Sequence, residues 1–493
     1  MARAFSSATT RRARLTTLTA YGVVLAALTW LISPQLARVS QDRALNEVAL
    51  NGWYTFTLAL LGQDAPYEGL YATRAVDDEA RRIRRLVAEP TATAAILDPA
   101  IPTSRHIIPS VPEHHRNVVV VLEESLGADF VSALHPRTDT SWTPSYDSLI
   151  NEGTLLSNAY STGNRTIRAL EATTTSLPPL PGISIVRRSA SRNLFTLPAL
   201  LKEIGYSTSF IYGGRALFDG MGSYMRANEM DRVIEQSDFP KGTFSTAWGV
   251  ADEFIFDKAL STFDSLAAAK RPFYSLVLSV SNHKPYDYPS GRITADPKAR
   301  KRTNAVHYAD WALGRFIRQA QKHDWFGNTL FVLMGDHGAR VYGAAEIPLP
   351  SYQVPILFYA PGFIPAGQRI ETMASNLDLP PSIMGRLGVP YDSRWFGHDV
   401  FTIAPEDGRA LMTHNSAIAL MRGNRMAELG LKGATDVWSV DRASGKQSRI
   451  ERPDSADREL IEDAIAYYHS ADRMYRAGLY RITRPAPVHA TSR

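Results

Sequence analysis

The chain of 493 residues contains no cysteine. That excludes disulfides, thiolate metal sites and a cysteine nucleophile. It also fits an oxidising compartment, where a stray thiol is a liability. An excess of one charge is missing too: 54 Lys and Arg stand against 49 Asp and Glu, a net charge of +5. No dense basic run occurs beyond the N-terminus, so nucleic acid is not an expected partner. Anionic lipid or an anionic substrate fits so mild an excess. Internal repeats and low-complexity tracts are absent, and 44% hydrophobic with 21% charged residues is a globular balance. The length exceeds one simple core and implies a large domain with accessory parts.

Long apolar runs are scarce as well. Only residues 15–32 (LTTLTAYGVVLAALTWLI) approach the roughly 20 residues that a membrane span requires. Arg3, Arg11, Arg12 and Arg14 precede the run and Ser33-Pro34 closes it. Positive-inside logic keeps the N-terminus in the cytoplasm and exports the rest of the chain. A cleaved signal peptide is the rival reading, but no clear small-x-small site comes after the run. The expectation is a retained single N-terminal anchor in the inner membrane, with the catalytic part periplasmic or extracellular.

The remaining chain divides by pattern. Residues 1–34 form the cytoplasmic tip and anchor, and 35–115 a partly helical connector that includes DDEARRIRRLVAE. Residues 116–404 form the catalytic domain, and 405–493 a β-rich appendage closed by a helix. From Asn117, NVVVVL reads as a strand buried on both faces of a parallel sheet. STSFIY (207–212), FYSLVLSV (273–280), TLFVLM (329–334) and VPILFY (354–359) repeat that signature, with helical patterns between them. The expected fold is α/β, a mostly parallel sheet flanked by helices.

Ligands of such sheets bind beyond the carboxyl ends of the strands. The first strand is followed by Glu123 and Glu124, FYSLVLSV by Ser281-Asn282-His283, and TLFVLM by Gly335-Asp336-His337-Gly338. Asp336 and His337 offer mixed O/N ligation suited to Zn²⁺ or Mn²⁺. Glu124 is the candidate for a further acid. The plain alternative makes Glu123 and Glu124 solvated loop acids. Thr166, in TGNRTIRALEA, stands where a helix begins, and backbone N–H groups there favour a phosphate. As a nucleophile it needs activation by a metal; the competing reading is a simple helix cap. His283 is positioned to contact a phosphate oxygen or to protonate a leaving group, although turn histidines are often structural. Two carboxylates, a hydroxyl and an imidazole, without thiolate, favour one divalent Mn²⁺, with Zn²⁺ or Mg²⁺ possible.

At LEESLG, TGNRT followed by LEA, SNHKPY and GDHG the chain resembles the lipoteichoic acid synthase and phosphoglycerol transferase family, a branch of the alkaline-phosphatase/sulfatase superfamily. The resemblance implies a metal held by Glu124, Thr166, Asp336 and His337, with Thr166 as nucleophile and His283 at the substrate. It implies transfer of glycerophosphate from an anionic, phosphatidylglycerol-like lipid to a glycan or glycerol hydroxyl. The family's Trp-x-Arg pair is missing: YGGRALFDGMGSYM supplies Arg215, Phe218 and Asp219 instead, closer to the branch that decorates periplasmic glucans. Arg215 and Asp219 are therefore taken as substrate-binding candidates. A true sulfatase needs C/S-x-P-x-R, which TIRAL lacks. Phosphoethanolamine transferases usually carry disulfides, and a scaffold protein would have lost ligands. The alternative that stays is a phosphoethanolamine transferase, or a phosphodiesterase or sulfatase-like hydrolase, of the same superfamily.

Overall fold

Five consecutive aliphatic residues, Val118 to Leu122, can be buried together only in a strand covered on both faces. The computed structural model describes residues 10–31, 40, 43–49, 52, 64, 66–93, 97–136, 141–339 and 345–482. In it this run is strand β1 (Asn117–Glu123), buried at every position. Each such aliphatic side chain contributes roughly 1.5–3 kcal/mol by leaving water. The other strands of the same sheet are β2 (Thr154–Leu156), β3 (Ser207–Tyr212), β4 (Arg232–Ile234), β5 (Phe273–Leu278), β6 (Thr329–Gly335), β7 (Ile356–Tyr359) and β8 (Gln368–Ile370). Their order is β8-β2-β7-β6-β1-β5-β3-β4.

Strands β6, β1, β5, β3 and β4 are mutually parallel. The register sets Glu123 beside Gly335, Leu122 beside Leu278 and Tyr212 beside Leu278. The segments after four neighbouring strands thus emerge at one level, as a shared site requires. The sheet is mostly parallel, as expected, with one exception. The sheet is mixed, because β7 runs antiparallel to both β6 and β2. Burial on both faces gives the same apolar run in either direction, so VPILFY carries no record of its polarity. The linker from β6 to β7 holds no α-helix among its described residues, and antiparallel neighbours need no crossover helix.

The expected appendage is a five-stranded antiparallel sheet: β9 (Ala410–His414), β10 (Ala417–Arg422), β11 (Arg425–Leu429), β12 (Thr435–Val440) and β13 (Gln447–Arg449). The closing helix, Ser455–Arg476, packs on it, with Tyr468 Oη 2.8 Å from the carbonyl oxygens of Met412 and Ala419. Thr413 N donates to Thr162 O at 2.9 Å, so β9 also buttresses the loop that leads to Thr166.

The chain divides into two compact units, Met1–Gly62 with Tyr342–Glu346, and Gln63–Val341 with Ile347–Arg493. In the first unit, Arg11–Leu31 is a helix whose Leu15, Leu18, Tyr21 and Leu25 side chains are exposed. Among the described residues no helix is long and apolar enough to cross a membrane, which departs from the span expected at 15–32. The physical reason lies in the composition: Arg11, Arg12 and Arg14 fill the first turn, and threonines dilute the run. The Thr16 and Thr17 hydroxyls turn back onto the carbonyls of Arg12 and Ala13. Most of the aromatic connector stretch at 48–62 lies outside the described residues.

In the second unit the connector helix Val76–Leu86 lies along the closing helix through buried charge. His469 Nδ1 contacts Glu79 Oε2, and its Nε2 lies 3.1 Å from Glu68 Oε1. Ser470 Oγ donates to Glu79 Oε1 at 2.7 Å, and Arg473 reaches the same oxygen at 3.3 Å. Burial alone would lower the His469 pKa, but the hydrogen bond and charge of Glu79, aided by Glu68, raise it above its ordinary value. A raised folded-state value means that charged His469 stabilises the fold below about pH 6.5, and that this contribution disappears as pH climbs through the folded-state pKa. His469→Gln is therefore expected to melt below wild type by a margin that narrows as pH rises from about 6 to 8.5. Thermal unfolding across that range checks it, and a pH-independent margin would contradict it.

Candidate active site and metal centre

The segment after β1 turns sharply. Ser125 adopts φ 51°, a left-handed conformation costly for a side chain with a Cβ. Four contacts hold it there. Ser125 N donates to Asp336 Oδ1 at 2.6 Å, Asn282 Nδ2 donates to the carbonyls of Glu124 and Ser125 at 3.1 Å, and Arg302 Nη2 reaches Ser125 O at 3.1 Å. Close packing at the end of β6 allows this: a Cβ on Gly335 would fall 1.9 Å from Leu126 O. Glu123 and Glu124 are each 3% exposed, which removes the reading of solvated loop acids. As strand alternation expects, the two part company. Glu123 Oε2 accepts from Ser279 Oγ at 2.8 Å, whereas Glu124 Oε2 accepts from the Thr166 hydroxyl at 3.1 Å.

Thr166 is the first residue of the helix Thr166–Thr175, and Arg165 occupies the cap position. Its hydroxyl is thus directed at Glu124 rather than spent on capping. The helix is pinned by the buried Arg168–Glu171 pair at 2.7 Å. Glu171 Oε2 also accepts from Ile185 N at 2.9 Å. Gly163 leaves room for this pair, since a Cβ there would meet Arg168 Cγ at 2.6 Å.

Glu124, Asp336 and His337 are buried and present ligand atoms within 4.8 Å of one another, a candidate metal site. The donor chemistry fits a cation. Asp336 Oδ1 is used by the N–H groups of Ser125 and His337, while Oδ2 is buried without a hydrogen-bond partner. His337 Nδ1 lies 2.9 Å from Gly338 O, which assigns the proton to Nδ1 and leaves the Nε2 lone pair facing inward. That Nε2 stands 3.5 Å from Asp336 Oδ2 and 3.8 Å from Glu124 Oε1. Burial, and then the Glu124 charge, push Asp336 up to about 6. Burial would raise Glu124 too, but the hydrogen bond and charge of His283 hold it at about 2. Two buried carboxylates opposed in this way are relieved by a divalent ion.

His283 joins this cluster, with Nε2 3.3 Å from Glu124 Oε1. Its ring stacks on Trp248 at 3.9 Å between centroids and 11° between planes, and Trp248 Nε1 donates to Lys284 O at 2.6 Å. Asp219 lies at the rim, 3.8 Å from Arg187 and 4.0 Å from Arg165. Arg215 is exposed, and its backbone carbonyl accepts from Phe218 N. Its guanidinium is not brought into the cluster.

Sequence reasoning missed Tyr212, Trp248, Arg187 and Arg302. Tyr212 ends β3 and feels the charges of Glu124 and Asp219, although burial is the main cause of its raised pKa. The end of β3 was a readable signal for Tyr212. Trp248 had none, because it reaches His283 through a short hairpin (Ser245–Thr246 with Gly249–Val250).

Four neighbouring strand ends, a buried carboxylate–imidazole cluster and a helix-start hydroxyl together form the candidate site of this α/β fold. The sulfatase family matches residues 116–389, more than half of the chain, and the chain belongs to that family. The structure is similar to a crystal structure of an alkaline phosphatase superfamily protein from Vibrio parahaemolyticus, with TM-score 0.78 and 32% identity over 84% of this chain and 100% of that one. Lipoteichoic acid synthase 2 of Bacillus subtilis is 23% identical over 333 residues, covering 63% of this chain and 48% of that protein. Phosphoglycerol transferase I of Xanthomonas campestris is 25% identical over 216 residues, covering 41% of this chain and 30% of that one. The chain thus spans about half the length, or less, of these two curated relatives.

Proposed function

We propose that the chain is a metal-dependent phosphoglycerol transferase. It would move glycerophosphate from a phosphatidylglycerol-like lipid to a glycan or glycerol hydroxyl through a covalent intermediate on Thr166. The observation that carries this reading is the Thr166 hydroxyl, set at a helix start and 3.1 Å from Glu124 within the Glu124–Asp336–His337 cluster. The names of the two curated relatives point to the same chemistry. Thr166 is followed by Ile167 and Arg168 without the C/S-x-P-x-R element, which speaks against sulfate-ester cleavage.

Glu124, Asp336, His337 and Thr166 would hold one divalent ion, Mn²⁺ favoured and Zn²⁺ or Mg²⁺ compatible with the same donors. When bound, it supplies charge that lowers the pKa of the hydroxyl and neutralises the phosphate. In the first step the bond from Thr166 Oγ1 to phosphorus forms as the Thr166 proton passes to water, and the phosphorus–oxygen bond to diacylglycerol breaks. His283 Nε2 gives a proton to the departing oxygen. In the second step the acceptor hydroxyl attacks phosphorus and gives its proton to His283, while the Thr166 Oγ1–phosphorus bond breaks and that oxygen takes a proton from water. The start of this helix, at Ile167 N–H, favours the phosphate throughout.

His283→Ala is expected to slow turnover by about 10²–10⁴-fold while leaving bound metal unchanged. Diacylglycerol release from phosphatidylglycerol, measured beside metal content, tests the role. Loss of metal together with activity would make His283 a structural support. On the same reading, the exposed apolar helix Arg11–Leu31 attaches the chain to the inner membrane with the catalytic unit outside the cytoplasm. Reporter fusions after Gln35 would overturn this if they signalled a cytoplasmic location.

A further inference from the structure

Among the described residues of the second unit, large apolar side chains stand well exposed in two settings. Val76, Leu97 and Ile108 are scattered along the connector, whereas Leu217 (86% exposed), Phe218 (46%) and Phe244 (38%) belong to two loops that pack together at the end of β3. Exposed apolar residues carried on adjoining loops point to an interaction site more than singly scattered ones do.

The two loops are built rather than loose. Val250 N donates to Gly213 O at 2.9 Å, Gln236 N to Gly214 O at 3.0 Å, and Glu235 Oε2 accepts from Ala216 N at 2.7 Å. The hairpin just after Phe244 lies so close to this loop that a Cβ on Gly249 would meet Gly213 at 2.5 Å. Phe218 meets Trp248 edge-on at 5.8 Å, Trp248 stacks on His283, and His283 reaches Glu124. A row of three rings therefore leads from the exposed lip to the candidate metal ligand. Arg165 and Arg187 flank Asp219 at the same mouth, and the exposed Arg215 and Lys284 stand in the chain two residues before Leu217 and one after His283. An apolar lip with basic neighbours matches a surface of acyl chains beneath anionic headgroups.

We infer that Leu217, Phe218 and Phe244 form a lip that inserts into an anionic phospholipid surface, so that a headgroup enters the site along the Phe218–Trp248–His283 row. The inference rests on the proposed use of a phospholipid donor, and two readouts separate its failure from failure of that reading. The full chain is placed in phosphatidylcholine vesicles with or without phosphatidylglycerol, and backbone hydrogen exchange is followed at 215–220 and 242–250. Exchange there is expected to slow on the phosphatidylglycerol vesicles about tenfold relative to phosphatidylcholine alone. The double variant Leu217→Ser, Phe244→Ser is expected to lose that protection. It should turn over vesicle phosphatidylglycerol about tenfold more slowly than wild type, with bis(4-nitrophenyl) phosphate cleavage unchanged. If wild type protects the lip but releases no diacylglycerol, the lip stands and the transferase reading falls. Equal exchange in both vesicles, or protection by a soluble glucan alone, overturns the lip.

Discussion

Thr166→Ala is expected to abolish both diacylglycerol release and transfer, with a loss of at least about 10⁴-fold, the scale seen when a covalent nucleophile is removed. The substitution deletes a hydroxyl and leaves the fold intact for identifiable reasons. Thr166 is the first residue of its helix and does not cap it, because Arg165 holds that position. Alanine has the highest helix propensity, and the helix is anchored further along by Arg168 and Glu171. The loss is confined to the oxygen 3.1 Å from Glu124 Oε2. Thr166→Ser keeps that oxygen and should retain measurable turnover. If Thr166→Ala releases diacylglycerol at the wild-type rate, the nucleophile is water and the enzyme is a hydrolase.

Asp336→Asn is expected to weaken metal binding by at least about 100-fold, since even partners one step removed from a metal cost 10–100-fold. Shape is preserved, and the retained Oδ1 can still accept from Ser125 N and His337 N, which lie at 2.6 and 2.7 Å. The change falls on Oδ2, the buried oxygen without a partner, which becomes an amide that cannot ligate. Without the ion, burial and the Glu124 charge already hold Asp336 up to about 6, so the metal-free variant should melt no lower than metal-free wild type. Metal content by elemental analysis, read beside the melting curve, separates ligation from unfolding. Unchanged metal content would remove Asp336 from the site.

The parts of this molecule that were legible in sequence are those fixed by burial and by strand ends. The strand at 207–212 matches the segment STSFIY residue for residue, and the apolar runs at 117–122 and 329–334 are each extended by one residue. Burial on both faces demands an unbroken run of that kind. The proximity of Glu124, Thr166, Asp336, His337 and His283 has the same origin, because each lies just past a strand or at a helix start, and parallel strands deliver such positions to one rim. Strand direction was not legible at Ile356–Tyr359, since an apolar run reads the same both ways. Trp248 was hidden because its partner His283 is distant in sequence and its hairpin is only two residues deep on each side. Arg215 and Asp219 were both read from sequence neighbourhood; the turn through Phe218 leaves Arg215 exposed, while Asp219 faces Arg165 and Arg187. The apolar run at the N-terminus is helical over Arg11–Leu31, but arginines and threonines leave it short of a membrane-crossing composition.

The central claim is that Thr166 carries the transferred group. The most direct measurement is peptide-resolved mass spectrometry of the full chain after incubation with Mn²⁺ and phosphatidylglycerol in the absence of an acceptor. The expected result is a glycerophosphate adduct on the peptide containing Thr166, absent from Thr166→Ala and discharged when an acceptor glycan is added. Diacylglycerol release with no adduct on that peptide at any time point, in protein that turns over, would contradict the account.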